Sequence, residues 1–106
     1  MKTLIALVIL APLAVSAAEP VEKLMEAQRC YACHDSTKAL IGPPWQAVAA
    51  RHGNNKSLMI DVLARKIVRG GGGVWGDVPM VPNQFTSIED ARAMATWILN
   101  QQPAKQ

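Results

Sequence analysis

Cys30 and Cys33 are the only cysteines in the 106-residue chain, and His34 directly follows the second of them. Cys-x-x-Cys-His is the spacing at which a c-type haem is covalently attached and ligated. On one helical turn the three side chains stand at i, i+3 and i+4 and share a face. Two thiols can then add to the two vinyl groups of one porphyrin while the His34 imidazole reaches the iron from the same side. Two cysteines alone exclude a disulfide framework. A thiol-disulfide oxidoreductase without haem also uses Cys-x-x-Cys, but next to alternating strands and helices, a pattern absent here. Structural zinc wants four ligands, and only His52 remains as a distant fourth.

The N-terminus supports an exported protein. Met1-Lys2-Thr3 is a short basic start, Leu4 to Val15 is an apolar run interrupted by Pro12, and Val15-Ser16-Ala17-Ala18 ends in small residues. This three-part pattern is that of a secretory signal peptide, and the run is too short to span a bilayer comfortably. The sequence predicts a signal peptide over 1–18, cleaved after Ala17 or Ala18, and a domain over 19–106. The expected location is a bacterial periplasm, with no stable membrane insertion after cleavage. Losing Lys2 with the leader leaves ten of the eleven Lys and Arg against all eight Asp and Glu. Two haem propionates bring that balance near neutral, and the basic residues form no long run, so no nucleic-acid partner is expected. A domain of this size buries only about 60–65% of its unfolded surface. A bound haem would supply apolar core that so short a chain cannot build alone.

The mature sequence reads as helices joined by irregular loops. A first helix is expected from Val21 to Arg29, with Pro20 suited to its start. Pro44 to His52 places Trp45, Val48 and Ala49 on one face, with Gly53 as a stop. Ser57 to Arg69 carries Met59, Val62, Leu63 and Ile67 at helical spacing and stops at Gly70. The last helix starts at Ser87, whose spacing to Asp90 resembles a capping box, and buries Ala91, Met94, Ala95 and Ile98. No strand is expected, so the fold class is all-α, with about four helices wrapped around one haem.

A long loop from Gly70 to Asn83 joins the last two helices, and loops of this length are commonly functional. An electron-transfer haem needs a second axial ligand besides His34. Met1 leaves with the signal, and Met25, Met59 and Met94 fall at helix positions that packing explains. Met80 lies between Pro79 and Pro82, which hold the backbone extended and away from helix, so its thioether can be presented to iron. His52 is the rival ligand, but a histidine at a helix C-terminus is more simply a solvated residue favoured there by the dipole.

Together these residues resemble the small monohaem class I cytochromes c of bacterial periplasms, the type that donates electrons to dissimilatory nitrite reductase. The resemblance runs from about Pro20 to Gln101. It rests on Cys30-x-x-Cys33-His34, Ile41-Gly42-Pro43, Val74-Trp75-Gly76-x-x-Pro79-Met80-x-Pro82-Asn83, and Trp97 in the last helix. It implies that the Pro43 carbonyl accepts the free ring N–H of His34, fixing its tautomer. It further implies that the Asn83 amide donates to the Met80 sulfur, that Trp75 packs on the haem edge and donates to a propionate, and that Lys66 stands near the propionates. Val81 departs from the pattern where proline is usual, Met25 stands where an aromatic often packs, and Gly70 to Gly73 is unusually glycine-rich.

The expected activity is outer-sphere electron transfer rather than enzymatic turnover. The upstream partner would be a quinol-oxidising complex or another donor, and the acceptor a nitrite reductase or terminal oxidase. A gas-binding or peroxidatic haem protein is the alternative if the Met80 bond is labile.

Overall fold

A computed structural model describes residues 1–12 and 20–103. The expected cleavage site after Ala17 or Ala18 lies outside the described residues. Residues 1–12 are exposed and lie outside any helix. Among the described residues no helix is long and apolar enough to cross a membrane.

Among the described residues there are four α-helices: α1 (Val21–Ala27), α2 (Trp45–His52), α3 (Lys56–Arg69) and α4 (Ile88–Leu99). Short 3-10 turns at Cys30–Ala32 and Gly53–Asn55 connect them. The described residues contain no strand beyond an isolated bridge between Gly71 and Met80. The first helix ends two residues earlier than its pattern suggests, because Arg29 adopts a left-handed conformation at φ 60°. Gly53 stands as the C-cap of α2, where the sequence places the stop. Its backbone stays right-handed at φ −64° and ψ −21°, and the chain tightens into a 3-10 turn leading straight into α3.

Helix α4 is the central element of the core. Ala91, Met94, Ala95 and Ile98 are all buried, in the 3.6-residue stripe expected of a helix that packs on one side. They join Met25 of α1, Trp45 and Val48 of α2, and Ala64 and Ile67 of α3 in one cluster. Ala64, Ala91 and Ala95 have no exposed surface, and such small side chains let helices approach closely. Trp97 is half-buried and its indole N–H donates to Glu22 Oε1 at 2.9 Å, tying α4 to α1. An exposed pair, Arg92 with Asp61 at 3.1 Å, bridges α4 and α3. It contributes little, as surface ion pairs generally do.

The apolar residues of α3 divide between two tasks. Ala64 and Ile67 face the core, and Leu63 packs on its margin. Val62 stays 38% exposed, and it borders a cavity together with Met59 and Leu63. The surface left uncovered on α3 is thus surface of the site described below.

The start of α4 is fixed by its cap. Ser87 has an extended backbone and its Oγ accepts the Asp90 N–H at 3.0 Å. Ser87→Ala should therefore lose about 1 kcal/mol of unfolding free energy, read from denaturant titration of the haem-loaded protein with an unchanged slope.

Candidate haem site

Arg29 turns the chain out of α1 at the cost of an unfavourable φ, and the motif residues follow at once. The N–H groups of Cys33 and His34 both donate to the Cys30 carbonyl, at 3.1 and 2.9 Å. Residues 30–34 thus form a single tight turn rather than a continuation of α1. Both cysteines are half-buried, and no disulfide joins them. Burial pushes the Cys30 thiol above its ordinary value; its own backbone opposes this and the neighbouring Cys33 adds to it. That is the opposite of the lowered value that makes a redox-enzyme nucleophile. Among the described residues, no group of three or more His, Cys, Asp or Glu side chains gathers in one place.

The chain after His34 is bent back onto it. The Asp35 carboxylate accepts the backbone N–H groups of Thr37 and Lys38, each at 2.9 Å, and Gly42 N–H donates to the Cys33 carbonyl at 2.7 Å. These bonds bring the Pro43 carbonyl to 2.7 Å from His34 Nδ1. A carbonyl can only accept, so Nδ1 carries the proton and Nε2 keeps its lone pair for a metal. Burial lowers the pKa of His34, partly offset by the Pro43 bond, and so favours this neutral imidazole.

The glycine-rich loop is folded on itself. Gly71 and Met80 exchange both backbone hydrogen bonds at 2.9 Å, and Gly73 N–H reaches the Gly76 carbonyl at 3.0 Å. Asn83 pins the far end: its backbone N–H and its side-chain amide both donate to the Ile67 carbonyl, at 3.2 and 3.1 Å. Ile67 is in the last turn of α3, where carbonyls lack helical partners. The amide expected to face the Met80 sulfur is therefore committed first to the helix end, with its second N–H left over.

All these groups border one apolar cavity of about 700 Å³, within the range of cofactor and ligand sites. Cys30, Cys33, His34, Pro43, Lys66, Trp75, Met80 and Asn83 all line it. Met25, Met59 and Met94 line it too, so lining alone does not single out Met80. Met25 and Met94 are fully buried in the core, whereas Met80 is half-buried on the loop. Trp75 is 43% exposed and is gripped from α2: the Arg51 guanidinium lies 4.8 Å over its ring and donates to the Val74 carbonyl at 3.2 Å. His52 is the last residue of α2 and only partly buried, as expected of a helix end, but it also stands edge-on to Trp75 at 6.5 Å and borders the cavity. Arg51 carried no signal in the sequence beyond its charge. The donor set and the apolar walls fit a covalently held haem.

A cytochrome c family model matches residues 18–102. Cytochrome c-552 of Hydrogenobacter thermophilus is 43% identical over 79 residues, covering 74% of this chain and 79% of that protein. Cytochrome c-551 of Pseudomonas aeruginosa is 37% identical over 84 residues, covering 79% of each. The crystal structure of wild-type Nitrosomonas europaea cytochrome c552 superposes with a TM-score of 0.72 at 38% identity, covering 76% of this chain and 99% of that one. The chain belongs to the cytochrome c family, among its small monohaem class I members. It carries one covalently attached c-type haem and is a haem-based electron-transfer protein.

Gly70 makes the sharpest test of the loop. Its φ is +68°, and an added Cβ would overlap the Met80 carbonyl and stand 2.8 Å from Pro82 N. Gly70→Ala should cost about 1–3 kcal/mol of stability and weaken the ferric sulfur-to-iron band in the far red. Gly73→Ala, at φ +98° but with no atom within 4 Å of the new Cβ, should strain the backbone yet keep that band.

Proposed function

We propose that the protein shuttles single electrons in a bacterial periplasm through a haem fixed by Cys30 and Cys33 and ligated by His34 and Met80. It does so as a carrier and not as an enzyme. The observation that carries this reading is the convergence of Cys30, Cys33, His34 and Met80 on one apolar cavity. Bound there, the haem supplies an iron that cycles between its ferrous and ferric states. The remaining work falls to the chain. Pro43 holds the proton on His34 Nδ1 and makes the imidazole a stronger donor. The neutral Met80 thioether favours the ferrous form and raises the potential relative to two imidazoles. The second amide N–H of Asn83 donates to the Met80 sulfur, while the first keeps the loop on α3. Trp75, oriented by Arg51, gives its indole N–H to a propionate, and Lys66 places a positive charge beside it.

Residues 1–18 serve as the export signal, and the family match that begins at residue 18 supports that boundary. A quinol-oxidising complex or another donor reduces the protein, and a nitrite reductase or a terminal oxidase takes the electron. Both encounters use small, short-lived interfaces, because turnover requires release.

Met80→Ala is the direct test. The haem should stay attached through Cys30 and Cys33, the sulfur-to-iron band should vanish, and imidazole or carbon monoxide should bind readily. The potential should fall within the roughly 0.8 V range that axial ligands control. Retention of the band would make Met25, Met59 or Met94 the ligand instead.

A further inference from the structure

The His34 imidazole does not stand alone in its pocket. The Trp45 indole lies against it nearly face to face, with ring centroids 4.4 Å apart and an interplanar angle of 20°. Both residues are buried, at 4% and 9% exposure. Gly42 bounds the imidazole as well, since a Cβ there would overlap the ring. The Pro43 carbonyl holds Nδ1. Trp45 is itself fixed by edge-on contacts to Tyr31 at 6.5 Å and to Trp97 at 6.4 Å, and Trp97 is anchored on Glu22.

From this arrangement we infer that Trp45 is a positioning residue that sets the plane of the His34 imidazole. A hydrogen bond at Nδ1 fixes one atom of the ring but still permits it to tilt about that bond. A parallel indole face resists the tilt, because turning the imidazole drives its edge into the indole. The stack also buries the Trp45 indole, leaving only 4% of the residue exposed. The plane of an axial imidazole directs its overlap with the iron orbitals, so holding it holds the electronic state of the site. This inference rests on His34 being an iron ligand.

Proton NMR of the ferric, haem-loaded protein tests it. Strongly shifted ring protons of His34 in the wild type establish ligation; their absence removes the reading on which the inference stands, independently of Trp45. Trp45→Phe, which keeps an aromatic face, should preserve the order of the haem methyl resonances. Trp45→Leu should rearrange that order and shift the potential while the sulfur-to-iron band stays. If the leucine variant does not fold, Trp45→Met gives the same comparison with phenylalanine. Leu99→Val is the control, a core loss at a buried residue outside the cavity lining, and should leave the methyl order alone. A wild-type methyl order in Trp45→Leu or Trp45→Met, or an equal rearrangement in Leu99→Val, would overturn the inference.

Discussion

An apolar cavity of about 700 Å³ in so short a chain is the constraint around which the domain is arranged. Without a haem, Met59, Val62 and Leu63 on α3 would border solvent, and the core would consist mainly of alanines, methionines and the residues that α4 presents. Domains of this size sit close to the limit of independent stability. Attaching the haem through Cys30 and Cys33 turns that exposed surface into interior.

Two backbone devices hold the proposed ligands, His34 and Met80, in place. On the His34 side, a turn closed on the Cys30 carbonyl and a loop closed by Asp35 and Gly42 return Pro43 to the imidazole. On the Met80 side, glycines permit the chain to double back, and the paired bonds between Gly71 and Met80 lock the result. The glycine run therefore gives the loop its close backbone approach, and the bonds from Asn83 to Ile67 and from Arg51 to Val74 supply its stiffness.

The helices were legible because an apolar stripe at 3.6-residue spacing survives any tertiary context. Ala91, Met94, Ala95 and Ile98 are buried as the pattern requires. The motif residues were legible because their spacing is set by chemistry rather than packing. What the sequence hid was conformational or long-range. Arg29 takes a left-handed φ that its residue type disfavours, and Gly53 caps α2 while its backbone stays right-handed. The commitment of Asn83 to Ile67 joins residues 16 apart, and it depends on where α3 ends. Trp45 read as one face of a short helix; its stack on His34 exists only once the Asp35 loop has folded back and α2 starts where it does.

X-ray absorption at the iron edge of the ferric protein as isolated tests the central claim most directly. The account predicts six-coordinate iron with five nitrogen scatterers and one sulfur, the nitrogens from the porphyrin and His34 and the sulfur from Met80. Six nitrogens with no sulfur, or a five-coordinate iron, would contradict it.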